Sequence, residues 1–118
     1  MHCFYFDFLR PDFYTTPDLR TICSLPRLHD LFLKHLPSKQ SHNYLPIYER
    51  YLEPYRLQVR KVLEIGVESG SSLRLWRDYF VNAEIYGFDI DPSCLQHESE
   101  RIHIIIGDQT SKDSLSNL

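Results

Sequence analysis

A chain of 118 residues and 14.1 kDa, 42% hydrophobic and 25% charged, has the composition of one soluble globular domain and is too short for two. Thirteen basic residues against sixteen acidic ones give a net charge of −3, and the basic ones are scattered, which argues against a nucleic-acid-binding surface. Cys3, Cys23 and Cys94 make neither an even disulfide set nor a CxxC pair, MHCFYFDFL lacks the basic flank of a signal peptide, and no run of about eighteen apolar residues is present to cross a membrane, so a cytoplasmic protein is expected.

Residues 1 to 26 are aromatic and broken by Pro11, Pro17 and Pro26, a pattern of loops and short turns. From Arg27, the spacing of Leu28, Leu31, Phe32 and Leu36 predicts a short amphipathic helix that Pro37 ends. A polar connector over 37–43 leads to a second helix, with Ser41 or Asn43 as N-cap and Pro46 in the first turn. Tyr44, Ile47, Tyr48, Tyr51, Leu52 and Tyr55 share one side of it and are expected to form core, and Pro54 kinks or ends it.

After Arg60 the period changes. Lys61–Ile65 is a short apolar strand stopping at Gly66, Ser71–Phe80 is a helix with Leu73, Trp76 and Phe80 on one face, and Glu84–Ile90 and Arg101–Ile106 are two further strands. Strands alternating with helices predict parallel βαβ units, and the run Ile104-Ile105-Ile106 suits a sheet covered on both faces. The tail from Thr110 to Leu118 reads as a loop opening another helix.

Three strand ends carry the chemistry. Gly66 frees the backbone for a sharp turn, Gly70 with Ser71 and Ser72 opens a helix whose N–H groups face a polar ligand, and Glu64 supplies an acceptor near the end of the first strand. Asp89 lies 23 residues after Gly66, near the spacing at which an acidic residue grips ribose hydroxyls. Asp91 before Pro92 reads as a turn or cap residue. Asp108 and Gln109 end the third strand, within reach of an adenine amino group. Together these ends outline one nucleoside-shaped groove. His29, His35, His97 and His103 have no metal-ligand spacing, and no metal site is expected.

The stretch from Val62 to Leu73, the run IYGFDIDP and the run IIIGDQ together resemble the class I S-adenosylmethionine-dependent methyltransferases, and within them the bacterial sugar O-methyltransferases of antibiotic and polysaccharide pathways. The segment His42–Leu52 is similar to the element those enzymes carry before their first strand, and the resemblance covers about residues 38–118. It implies an α/β fold: a partial Rossmann-like methyltransferase fold with a parallel sheet of about three strands and flanking helices. The division it suggests is an amino-terminal aromatic and helical segment over 1–57 and a truncated cofactor-binding domain over 58–118. It further implies that Glu64, Gly66, Gly70 and Ser71 surround the methionine part of S-adenosylmethionine, that Asp89 holds the ribose, that Asp108 and Gln109 sit by the adenine, and that His42 and Tyr44 close over the methionine end. Glu68 stands where many methyltransferases have another glycine.

The resemblance also implies a seven-stranded sheet, of which this chain carries three strands. The chain is therefore expected to be an amino-terminal, cofactor-binding part of an O-methyltransferase, with no identifiable catalytic base and no activity alone. Its partners are expected to be the small-molecule cofactor and, through an uncovered edge of the third strand, another strand or a second copy. Two rival readings are a nicotinamide-binding Rossmann fragment, against which the missing middle glycine of GxGxxG speaks, and a non-catalytic interaction module.

Overall fold

The computed structural model describes residues 3–8, 24–35 and 45–118, the first group as backbone alone. In chain order the elements are β1 (Cys3–Phe8), α1 (Leu28–His35), α2 (Leu45–Leu52), a 3-10 turn (Glu53–Tyr55) and β2 (Val59–Ile65). These are followed by α3 (Ser71–Tyr79), β3 (Glu84–Asp89), a 3-10 segment (Pro92–His97), β4 (Ile102–Ile106) and α4 (Lys112–Ser116). As the sequence implied, Pro54 ends the second helix by converting it to a 3-10 turn.

The sheet runs β1-β2-β3-β4, with β2, β3 and β4 parallel and β1 antiparallel to β2. The parallel part is the expected partial Rossmann-like arrangement. The strand β1 corrects the reading of residues 1 to 26 as loops and turns. CFYFDF consists mostly of strand formers, and all three prolines of that region lie beyond Phe8.

Strand alternation sorts the side chains. Val62, Glu64, Ile85, Gly87, Ile102 and Ile104 are buried on one face, which α3 covers, and α1 packs on α3. Their neighbours Leu63, Tyr86 and Ile105 on the other face are half-buried, and Tyr86 stacks on exposed His103 at 5.0 Å between ring centres. The core continues through Leu73, Leu75, Trp76, Tyr79 and Phe80 of the α3 region to Leu28, Leu31 and Phe32 of α1. Arg56 is buried with this core: its Nε donates to the Tyr79 carbonyl at 2.7 Å and its guanidinium lies 4.2 Å from the Tyr79 ring centre. The Tyr79 hydroxyl donates to Glu53 at 2.5 Å.

The tyrosine stripe of α2 does not form core. Leu52 and Arg56 face the body of the protein, while Ile47, Tyr48, Tyr51 and Tyr55 remain exposed, Tyr51 at 69%. Helical spacing identifies an apolar face but not what lies against it. Tyr44 falls outside the described residues. The outer edge of β4 is also less open than expected. Ser99 and Ile102 exchange N–H···O bonds of 2.9 and 3.2 Å, and the Ile104 N–H donates to the Glu98 carboxylate at 3.2 Å. The outward-facing backbone at the start of this strand, through the Ile104 N–H, thus has partners within the chain.

Candidate functional site

Two backbone bonds continue the ladder past the strands: Gly66 N–H donates to the Phe88 carbonyl and Gly107 N–H to the Asp89 carbonyl, both at 2.9 Å. They align the carboxyl ends of β2, β3 and β4. In the loop after β2, Gly66 has φ +92° and Gly70 φ +73°, and Glu68 is a non-glycine residue at φ +50°. Val67 points inward and is buried over Gly87, where a β-carbon would come within 2.7 Å of Val67 Cγ2 and 2.8 Å of Leu73 Cδ1. Gly70 caps α3 with its backbone, and the His97 ring packs against it so closely that a β-carbon there would meet His97 Cγ at 2.7 Å.

A cleft of about 450 Å³ opens over these strand ends, lined by Ile65, Gly66, Glu68, Phe88, Asp89, Ile90, Gly107, Asp108, Gln109 and Thr110. That volume is within the range of small-molecule sites. Asp89 is fixed at its centre: Oδ2 accepts the Val67 N–H at 2.8 Å and Oδ1 the Asp91 N–H at 3.0 Å. The Asp91 amide, with those of Val67, Glu68 and Ile90, outweighs partial burial and holds the Asp89 carboxyl below the usual carboxylate range. Asp108 Oδ1 accepts both the hydroxyl (2.7 Å) and the N–H (2.8 Å) of Thr110, which lowers its pKa in the same way. Among the described residues the lining contains three carboxylates and no lysine, arginine or histidine.

The structure therefore brings Gly66, Asp89, Asp108 and Gln109 together. Glu64, Gly70 and Ser71 are not among the residues lining the cleft. Strand alternation turns Glu64 to the α3-covered face, where it is fully buried, and the Ser71 hydroxyl is occupied by Ser69 (3.0 Å) and Arg74 (3.2 Å). Asp91 is the cap residue the sequence suggested, accepting the Ser93 N–H at 2.9 Å. His42 lies outside the described residues, as Tyr44 does. Sequence reasoning placed Gly107 at this groove but missed Thr110 as a lining residue, and Gly87 as the floor on which the loop rests. Among the described residues no three His, Cys, Asp or Glu side chains are grouped to hold a metal ion, and no helix is long and apolar enough to cross a membrane.

No protein-family model matches the chain. Individual proteins do. It is 35% identical over 102 residues to the 8-demethyl-8-alpha-L-rhamnosyl tetracenomycin-C 2'-O-methyltransferase of Streptomyces olivaceus, and 38% identical over 104 residues to the mycinamicin VI 2''-O-methyltransferase of Micromonospora griseorubida. These matches cover 80% and 79% of this chain. Its homologues are sugar O-methyltransferases of antibiotic pathways. The chain superposes on the MycE methyltransferase of mycinamycin biosynthesis, solved with Mg, SAH and mycinamycin VI, with a TM-score of 0.68 and 35% identity over 80% of its length. It spans only about a quarter of the length of these relatives: 27% and 25% of the two enzymes above and 28% of the solved chain.

Proposed function

We propose that the chain is the S-adenosylmethionine-binding part of an O-methyltransferase that acts on a sugar or another small hydroxylated metabolite. The observation that carries this reading is the cleft at three parallel strand ends, with an ionised Asp89 at its centre and, among the described residues, no cationic side chain in its lining. A carboxylate so placed accepts a pair of ribose hydroxyls. Three carboxylates among the described lining residues suit a cofactor that has no phosphate, and they disfavour the nicotinamide dinucleotide reading, since each would repel a pyrophosphate.

In this reading Asp89 holds the ribose, Asp108 and Gln109 flank the adenine, and the backbone at Gly66 borders the methionine portion. Glu64, Gly70 and Ser71 support the loop from behind, and His42 and Tyr44 close over the methionine end. When bound, S-adenosylmethionine supplies the electrophilic sulfonium methyl. What the chain's own residues do is bind and orient. Apart from His42 and Tyr44, the cofactor contacts belong to residues 58–118, and residues 1–57 form a supporting segment whose β1 pairs with β2 and whose α1 packs on α3. A cytoplasmic location follows from the cysteine content. Self-association would have to use the Ile106 end of β4, which Glu98 and Ser99 leave open.

Isothermal titration with S-adenosylhomocysteine tests the proposal. One saturable site is expected, weakened by Asp89→Ala and little affected by Asp91→Ala. Absence of binding by both this chain and a longer polypeptide containing it would refute the reading.

A further inference from the structure

Asp89 lies at the carboxyl end of β3, yet one of its two oxygens is bonded to a different segment, the β2–α3 loop. Each oxygen takes an N–H: Oδ2 that of Val67 and Oδ1 that of Asp91. The residue after Val67, Glu68, has φ +50°, a conformation that L side chains adopt at a cost. A left-handed residue following a loop amide is the geometry in which successive N–H groups converge on one anion. Here that anion is a side chain of the protein itself. The loop rests on a second fixed point beneath, Val67 buried against Gly87.

We propose that Asp89 is a positioning residue for the Gly66–Gly70 loop, latching its main chain in the receiving shape before any ligand arrives, in addition to contacting the ligand. The latch explains why a non-glycine residue persists in the left-handed region at position 68: the carboxylate offsets the strain by binding the amides this conformation presents. It also explains the choice of side chain independently of any ligand. Both oxygens face N–H donors, so neither position can be occupied by a donor. Asparagine at 89 would set its NH₂ against either Val67 N–H or Asp91 N–H, and one bond must break.

The test uses the unliganded chain and the variants Asp89→Asn and Asp108→Asn. The second removes the same charge from the same cleft, but both described bonds of Asp108 go to one oxygen, which the amide can keep. Amide hydrogen exchange is followed by NMR at Val67, with Ile85 and Ile105 of the sheet as references. The expected result is exchange at Val67 at least tenfold faster in Asp89→Asn, with the sheet amides and Asp108→Asn close to the parent. A Val67 rate within twofold of the parent overturns the proposal, and so does equal acceleration at the sheet amides, since the effect is then global. Should Asp89→Asn not fold, the parent decides: the Val67 and Asp91 amide proton shifts should titrate together, with a midpoint below the ordinary Asp value of about 3.9. Failure of the two to move together overturns the latch. The ligand half of the role rests on the proposed function. If the parent takes up no S-adenosylhomocysteine, that function fails while the exchange result stands, so the two failures are distinguishable.

Discussion

Gly87→Ala tests how the sheet supports the glycine loop. A β-carbon at position 87 would lie 2.7 Å from Val67 Cγ2, 2.8 Å from Leu73 Cδ1 and 3.1 Å from Ile104 Cδ1. Comfortable carbon–carbon contact is about 3.5–4.0 Å, so all three neighbours must give way. Leu73 and Ile104 meet the new methyl with the ends of longer side chains and can yield. Val67 is β-branched and stiff about χ1, so its backbone, and with it the loop, has to rise. Overpacking of this kind costs about 1–3 kcal/mol, which at this chain length corresponds to about 4 °C in Tm per kcal/mol. Urea unfolding of Gly87→Ala, Val67→Ala and the double variant separates the contributions. Val67→Ala alone should cost about 1.5 kcal/mol in lost burial, and in the Gly87→Ala background most of that loss should vanish because the clash disappears with Cγ2. Strict additivity of the two changes would refute the reasoning. Gly87→Ala should also weaken S-adenosylhomocysteine binding, because the loop it lifts is the one Asp89 holds.

Arg56→Ala should destabilise the chain by about 1.5–3 kcal/mol, the worth of a hydrogen bond from a charged donor, and Arg56→Lys should recover little of it because an ammonium lacks the planar fork that lies over Tyr79; equal stability of Arg56→Lys and the parent in denaturant unfolding would contradict this. Burial raises the pKa of Asp78, but its hydrogen bonds to His35 (2.7 Å) and Arg77 (3.0 Å) outweigh that and hold the carboxyl low. Its contribution to stability is therefore present above the ordinary Asp range and is lost as pH falls through the lowered folded-state value. The stability gap between the parent and Asp78→Asn should be full at pH 6 and shrink towards pH 2.5, and a constant gap would show that Asp78 is not the titrating group. The chain by itself should bind S-adenosylhomocysteine but release none from S-adenosylmethionine and hydroxylated sugars; turnover matching that of a longer polypeptide containing it would force a catalytic role onto residues such as His42 or Tyr44.

Much of the parallel sheet was legible because two periods separate cleanly in this sequence. The spacing of Leu73, Trp76 and Phe80 is helical, whereas the short apolar runs ending at Gly66, Asp89 and Gly107 are bounded by turn residues, and each lies where its strand ends. The strand at Cys3–Phe8 was obscured because the prolines that follow it dominate any window drawn across the region. Asp89 could be read from its distance to Gly66, since a βαβ unit fixes how far apart two strand ends fall in sequence. Its bond to Val67 could not, because that depends on how the loop folds back over Gly87. A glycine inside an apolar strand looks like a defect until the side chain that fills its place is known. Glu64 illustrates the converse: its type and position suggest a site acceptor, but alternation along β2, which buries it on the same face as Val62, is not written in its position relative to Gly66.

The cleft's charge gives a final discrimination among adenine-containing ligands. Glu68, Asp89 and Asp108 all line it, Asp89 and Asp108 are held ionised by the amides and hydroxyl around them, and no cationic side chain among the described residues joins them. A phosphate brought near these carboxylates is repelled by each of them, and the repulsion is screened by salt at the exposed mouth. Adding one phosphate to a bound nucleoside should therefore weaken its binding, and a pyrophosphate should weaken it more. The measurement is competition against S-adenosylhomocysteine by adenosine, AMP, ATP and NAD, without added divalent cations that would neutralise the phosphates. Adenosine should compete, AMP should compete more weakly, and ATP and NAD should compete least, with the differences narrowing as ionic strength rises. Asp108→Asn should narrow them too, since it removes one of the three charges and leaves the Thr110 turn in place. ATP or NAD competing as well as adenosine at low salt would mean that the carboxylates do not govern selection at this cleft, and would return the dinucleotide reading to consideration.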